Sequence, residues 1–333
     1  MKTKRILITG AAGFIGRAIM DRLMKLDPEK LVGLDALLPF NGLELKIERL
    51  KSLGFTDHKD QQILNHQKNI VFYQKNLLNL DSLYEIFKQE KITHVIHLAA
   101  LPSIREGEKA SAEAFHNNLW ALRNIITASS LFGIEKLIYA SSSSVYGFET
   151  ELPMGESSRK GLPNNSYALS KLRNEEDALT FSKVFVVQVC GLRLFSVYGP
   201  WGRPDMAPYI FTKNLFEKNT TQIANPIKIK RDFTYIDNVV DTLVHLLNTT
   251  EPLPKILNIG SGTNHSLKKS WEVLKAYTNS EIVPQEVAKP EKDLEETLAD
   301  ITLLKTLIPD YHPININRGM SEFVKWYKDF YKK

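Results

Sequence analysis

The chain of 333 residues is long enough for one large α/β domain with a smaller appended lobe, or for two modest domains. Hydrophobic residues at 43% and charged residues at 24% exclude a disordered or low-complexity chain. The net charge of +5 comes without a tight Lys/Arg run or an aromatic-interleaved basic stripe, which argues against nucleic acid as a partner; ordinary surface lysines account for it, and it also suits an anionic ligand such as a diphosphate.

The chain opens MKTKRILITGAAGFIG. Its apolar run, Ile6–Thr9, is too short for the core of a signal peptide. No stretch approaches the roughly 18 apolar residues that a membrane span needs, so no membrane partner and a cytoplasmic location are expected. The single cysteine, Cys190, sits in the apolar run VFVVQVCGL, reads as a core residue and has no partner for an internal disulfide. No metal is expected.

Over the first two-thirds, short apolar runs alternate with longer amphipathic segments. The expected strands are Arg5–Thr9, Leu31–Leu34, Ile70–Tyr73, His94–Leu98, Lys136–Ala140 and Val184–Leu192. Between them the spacing predicts helices over Phe14–Leu26, Ser82–Lys88, Ala112–Leu131 and Ser166–Phe181, with a further helical stretch, Leu43–Leu53, in a long insertion after the second strand. Strands separated by helix-length segments predict βαβ units and an α/β fold with a doubly wound parallel sheet. After residue 200 the pattern changes: Pro200, Pro204 and Pro208 crowd one loop and shorter elements follow. Residues 1–200 are expected to form the cofactor domain and 201–333 mainly a substrate-binding lobe. Core elements near 234–260 are expected to return to the first.

The first strand runs straight into Gly10, Gly13 and Gly16, spaced GxxGxxG, and then into a helix. Gly10 permits the tight turn, Gly13 the approach of backbone to a pyrophosphate, and Gly16 close helix–strand packing. The helix start at Phe14 and Ile15 then offers free N–H groups to phosphate. Three glycines would also serve a plain turn; their place between strand and helix at the start of the chain favours a Rossmann dinucleotide site. Asp35, ending the second strand about twenty residues on, can accept from both ribose hydroxyls and would repel a 2′-phosphate, which favours NAD over NADP. Capping a loop is its other use. Asn76, with Leu77 beside it, is placed to meet the adenine edge, and Leu98, Ala99 and Ala100 to line the pyrophosphate crevice.

Tyr167-Ala-Leu-Ser-Lys171 places a phenol and an ammonium four residues apart on one helix face. A free phenol has a pKa of about 10, and lowering it by ~3 units takes roughly 4 kcal/mol. The lysine and an oxidised nicotinamide both favour the phenolate. Alone, such a pair also occurs as an exposed helical couple. Here it follows a dinucleotide fingerprint and a serine-rich strand end, Tyr139-Ala-Ser-Ser-Ser-Ser-Val-Tyr-Gly147, whose hydroxyls point into a ligand crevice unless the run is merely a flexible turn.

GAAGFIG, HLAA, SSSSVYG, YALSK, RDFTYID and LNIGSG occur in this order from about Lys4 to about Ile308. In this the chain resembles the extended short-chain dehydrogenase/reductase family of nucleotide-sugar epimerases and dehydratases. Within that family it is most similar to UDP-glucuronate 4-epimerases, through VYGPWGRPDMAPYIFTK from Val197 to Lys213 and the insertion after Asp35. The resemblance implies Tyr167 as base, Lys171 as its partner, Ser142 as the serine nearest the reacting hydroxyl, and Ser143 and Ser144 as sugar contacts. It implies that Tyr167 takes the proton of the carbon 4 hydroxyl while hydride passes to NAD. The 4-keto sugar then turns about its diphosphate, and hydride returns to the other face. Dehydratases of the family carry an Asp-Glu pair near the third and fourth serine positions, and decarboxylases a glutamate at the fourth; Ser143 and Ser144 stand there here.

For a glucuronate, Ser196 and Arg203 are expected near the carboxylate; their other use is a buried turn hydroxyl and a capped loop. Arg231, in the RDF motif, is expected to bind the diphosphate through paired hydrogen bonds, unless it forms an ordinary Arg–Asp pair. Lys289 is assigned a phosphate contact. Three places depart from the likeness: Ser196 stands where threonine is commoner, Leu101–Gly107 keeps Arg105 as a sugar contact but carries Glu106 and Gly107, and Lys289-Pro-Glu-Lys-Asp293 replaces the usual Gln-Pro-Gly-Asp or Arg-rich version. UDP-glucuronate fits best, with UDP-glucose, UDP-galactose or their N-acetylated forms as alternatives, and a decarboxylase or a non-catalytic NAD-binding protein as others. The helices over Ala112–Leu131 and Ser166–Phe181 resemble those that pair in family homodimers, which implies a dimer.

Overall fold

The computed structural model describes residues 1, 3–39, 42–55, 63–67, 69–102, 108–148, 151–158, 161–163, 165–185, 187–289 and 294–332. In chain order the first elements are β1 (Arg5–Thr9), α1 (Phe14–Lys25), β2 (Lys30–Asp35), α2 (Leu43–Ser52), β3 (Ile63–Gln67), β4 (Ile70–Gln74), α3 (Leu80–Glu90) and β5 (His94–His97). Next come α4 (Glu108–Phe132), β6 (Lys136–Ala140), α5 (Ser166–Val184), β7 (Gln188–Leu194), β8 (Ser196–Tyr198), α6 (Ala207–Glu217), β9 (Gln222–Ala224) and β10 (Lys230–Tyr235). The chain ends with α7 (Ile236–Asn248), β11 (Ile256–Ile259), β12 (Asn264–Ser266), α8 (Leu267–Thr278), β13 (Gln285–Val287), α9 (Thr302–Leu307) and α10 (Ile316–Tyr331). Among the described residues, no helix is long and apolar enough to cross a membrane.

The chain divides into two compact units. The first comprises Met1–Val145, Asn165–Arg193 and Val240–Leu257. Its sheet runs in the order β11-β7-β6-β5-β1-β2-β4-β3, parallel from β7 through β4, with β3 antiparallel at the edge. The strand order turns at β1, which has β2 on one side and β5 on the other, and ligands of open α/β sheets bind at such a switch point. The strands are apolar along their length because helices cover the sheet. Leu7, Val32, Val71, Val95 and Leu137 pack with Leu83, Ile86 and Phe87 of α3, Leu122 and Ile125 of α4 and Phe181 of α5. Burying each such side chain contributes about 2 kcal/mol. The buried ammonium of Lys136 caps the end of α7, reaching Leu246 O at 3.0 Å and Thr249 O at 2.5 Å.

The expected strand over Val184–Leu192 begins instead at Gln188, and Val184 closes α5. Both stretches are apolar, so periodicity alone cannot separate a helix end from the strand that follows. The edge strand β3 lies inside the insertion, where its sequence ILNHQ carries little strand signal.

The second unit comprises Tyr146–Asn164, Leu194–Val239 and Asn258–Lys333. It holds the three-stranded sheet β12-β10-β8 and the pair β13-β9. The buried carboxylate of Asp232 in β10 gathers the chain around it: it accepts from Ser261 N at 2.7 Å, Ser261 Oγ at 2.8 Å, Gly262 N at 3.0 Å and Ala299 N at 3.1 Å. Burial pushes its pKa up, and these donors hold it back.

Candidate active site

The loop from β1 to α1 is built for close contact. Gly10 has φ +70°, and a Cβ on it would lie 2.8 Å from Ala99 N, so the glycine turn packs directly against the segment after β5. A Cβ on Gly16 would overlap the Gly10 carbonyl, so α1 can lie against the turn only with glycine there. Helix α1 starts after Gly13 with no side-chain cap and no acidic residue in its first turn. Its leading N–H groups, including those of Phe14 and Ile15, and its dipole are thus left for an external anion. Leu98, Ala99 and Ala100 are half-buried at the end of β5, with Leu98 N held by Thr9 O at 3.2 Å and Ala99 N by Thr9 Oγ1 at 3.3 Å.

Asp35 is buried at the end of β2. Its Oδ2 accepts from Ala12 N at 3.3 Å and its Oδ1 from Leu37 N at 2.8 Å and Lys46 Nζ at 3.0 Å. The carboxylate is therefore fixed at the glycine turn, where ribose hydroxyls would meet it. Sequence reading missed Lys46, and missed Arg49, which is 2% exposed and donates to Ala12 O at 3.4 Å. Their signal was present: two cations on the face of an insertion helix that also carries the buried Leu45 and Leu50. Asn76 turns its Oδ1 onto Leu78 N at 2.9 Å, and the carbonyl of the buried Leu77 is held by Asn124 Nδ2 at 2.8 Å.

Helix α5 begins at a side-chain cap, Asn165 Oδ1 accepting from Ala168 N at 2.8 Å. One turn on, the Lys171 Nζ lies 5.6 Å from the centre of the Tyr167 ring and donates to Ala140 O at 2.8 Å. Lys171 is 1% exposed, and burial alone brings its pKa down to about 8. The ring of His97 in β5, its pKa pushed down to about 3 by burial and by the Lys171 charge, stays neutral. Asn118 of α4 was also missed. It holds Leu101 by both N and O at 2.8 Å and reaches Ser170 Oγ at 3.2 Å, so one amide ties the segment after β5 to α5. A polar residue on the inner face of an otherwise apolar helical stripe was the available signal.

Beyond β6, Ser141 is buried while Ser142, Ser143 and Ser144 are partly open. Ser142 Oγ accepts from Ser144 N at 3.2 Å and from Ser144 Oγ at 2.9 Å. With its lone pairs taken, Ser142 has its own proton left to donate outward. The first unit thus holds Asp35 and the segment after β5 against the glycine turn and, at the end of β6, Lys171 beside Tyr167 with Ser142 two residues past the carbonyl that Lys171 meets.

Ser196, Arg203, Arg231 and Lys289 belong to the second unit. Arg231 Nη1 donates to Lys230 O at 2.9 Å and Glu295 O at 3.2 Å, and Lys289 Nζ lies 4.0 Å from Glu295 Oε1, so both cations meet the stretch at Glu295. Ser196 is half-buried at the start of β8, opposite Phe233. Arg203 is engaged in a two-bond ion pair with Asp205, Nε to Oδ1 at 3.0 Å and Nη2 to Oδ2 at 2.5 Å. Arg105 lies outside the described residues. Among the described residues no three His, Cys, Asp or Glu side chains come together as a metal site would need.

Residues 6–260 match the NAD dependent epimerase/dehydratase family. The chain is 33% identical to Protein CapI of Staphylococcus aureus, covering 99% of this chain and all of that one. It superposes with a TM-score of 0.87 on the UDP-glucuronic acid 4-epimerase of Bacillus cereus, a structure in complex with UDP-glucuronic acid and NAD, at 28% identity over 98% of this chain and 99% of that one. The UDP-N-acetylglucosamine 4-epimerase of Methanobrevibacter ruminantium, in complex with UDP-N-acetylmuramic acid, gives a TM-score of 0.85 at 26% identity, covering 99% of this chain and all of that one.

Proposed function

The chain belongs to the NAD-dependent epimerase/dehydratase family, and from that premise we propose that it inverts carbon 4 of a UDP-linked sugar, UDP-glucuronate to UDP-galacturonate. The open start of α1, the close approach at Gly10 and the fixed carboxylate of Asp35 suit a dinucleotide, and the cofactor is NAD. When bound, NAD supplies reversible oxidation of the sugar carbon. The protein's own residues do the rest. Tyr167 takes the hydroxyl proton as a phenolate, Lys171 holds that charge in place, and Ser142 donates to the same oxygen. The same path returns the proton to the oxygen of the turned-over ketone as its carbon is reduced again from the other face, and the centre is inverted.

The observation that carries this reading is the set Tyr167, Lys171 and Ser142 with serine, not carboxylate, at 143 and 144. Elimination of water needs an acid and a base toward carbons 5 and 6, and neither position offers one. Arg231 and Lys289 are assigned to the diphosphate, and Ser143, Ser144, Ser196, Arg203 and Arg105 to the sugar.

A second reading has one observation in its favour. Arg203 is already neutralised by Asp205, which would compete with a sugar carboxylate and suits an uncharged hexose or N-acetylhexosamine. Incubation with a panel of UDP-sugars, followed by NMR at the carbon 4 proton, separates the two. UDP-galacturonate from UDP-glucuronate is expected; inversion only of uncharged sugars would select the second reading, and accumulated NADH or a pentose would reject both.

The same reading includes a cytoplasmic homodimer formed through α4 and α5. On these helices the large apolar side chains of Trp120, Leu131, Leu179 and Val184 are exposed, from 43% to 69%, and pairing would cover them. Sedimentation at micromolar concentration is expected to give twice the chain mass, and a monomer would refute this.

A further inference from the structure

The face of α5 that carries Tyr167 and Lys171 continues to Glu175, one turn further on. Glu175 is 5% exposed. Its carboxylate meets Arg193 of β7, itself 2% exposed, through Nε to Oε1 at 2.9 Å and Nη2 to Oε2 at 2.9 Å. Neither residue has a part in the chemistry described above. Stability is a poor reason to keep such a pair, because desolvating two charges offsets their attraction and a well-packed apolar pair often does as well.

A third partner supplies a better reason. Ser141 Oγ, wholly buried, donates to Glu175 Oε1 at 2.6 Å, the length of a charge-assisted bond. Ser141 sits between Ala140, whose carbonyl accepts from Lys171 Nζ at 2.8 Å, and Ser142, whose proton is free to meet a ligand. Its own N–H donates to Leu192 O at 2.8 Å, next to Arg193. One helix face therefore grips the end of β6 twice, Lys171 at the carbonyl of 140 and Glu175 at the hydroxyl of 141. Arg193 keeps the second grip ionised and aimed. Tyr139 also faces this carboxylate, and burial and the Glu175 charge push its phenol up.

We propose that Glu175, held by Arg193, is a positioning residue for proton transfer: through Ser141 it fixes the end of β6, and with it the placement of Ser142 and of the Lys171 ammonium beside Tyr167. This rests on the reading of Tyr167 as the base, and the first part of its test works without any sugar.

Ser141→Ala removes the grip while leaving both buried charges paired. The titration of Tyr167 is followed in NAD-loaded protein as the phenolate absorbance lost in Tyr167→Phe, for wild type, Ser141→Ala and Ser141→Thr. In Ser141→Ala the midpoint is expected to rise by about one pH unit, a tenfold loss of phenolate. With the substrate found in the panel, kcat falls about tenfold at unchanged KM and NAD content. Ser141→Thr, which restores a hydroxyl, is expected to return both to wild type. A lowered melting temperature with unchanged titration and kcat overturns the proposal alone. A wild type in which removing Tyr167 alters no titration overturns the reading beneath it as well.

Discussion

Tyr167→Phe is expected to lower turnover about 10³-fold, roughly 4 kcal/mol in the barrier, while NAD stays bound at wild-type occupancy. The substitution removes one oxygen and keeps the ring. The glycine turn, Asp35 and the Lys171–Ala140 bond lie on other atoms and remain in place. Loss of the base should therefore appear in kcat, with cofactor content and substrate affinity nearly unchanged. Initial rates of epimerisation, together with NAD released on denaturing the purified protein, measure both quantities. A variant keeping more than about a tenth of wild-type turnover would place the base elsewhere. A non-catalytic NAD-binding protein would be indifferent to the change.

Lys171→Met is expected to reduce turnover about 10²-fold without lowering thermal stability at pH 7. The reason lies in the pKa of a lysine that is 1% exposed and brought from 10.5 down to about 8 by burial. A lysine whose folded pKa is depressed opposes folding fully below pH 8, where both states are charged. That penalty is lifted as pH rises from 8 towards 10.5, because only the unfolded chain then holds the proton. The shift corresponds to about 3 kcal/mol, and methionine removes it along with the bond to Ala140 O, worth about 1–2 kcal/mol. In the wild type the ammonium that favours the phenolate is lost above pH 8, so the pH profile should fall on its alkaline side near 8. Rates and melting temperatures across pH 6–10 check each part. A strongly destabilised variant, or a wild-type profile flat to pH 10, would contradict this.

Much of the first unit was legible because its signals are local. A strand running into Gly10, Gly13 and Gly16 must turn sharply and then start a helix, and the structure shows the positive φ and the tight packing that require glycine. Tyr167 and Lys171 were readable because a spacing of four defines a helix face before any tertiary contact is known. Lys46 and Asn118 left a signal in the sequence but no sign of their partners, and Glu175 and Arg193 went unread. Each acts on a residue 11 to 34 positions away, Lys46 on Asp35, Asn118 on Leu101, Glu175 on Ser141 and Arg193 on Glu175, and a polar side chain beside an apolar stripe does not announce its partner. The end of α5 was misplaced for a different reason, since an apolar helix end and an apolar strand carry the same pattern. The pairing of Arg203 with Asp205 was open to inspection two residues apart, yet only coordinates show both nitrogens engaged.

The central claim is that one ionised phenol removes and returns the hydroxyl proton while the hydrogen on carbon 4 never reaches solvent. Running the UDP-sugar panel in deuterated water tests it most directly. The inverted product is predicted to carry protium at carbon 4; deuterium at that carbon would mean that the centre exchanges with water, and the account would be wrong.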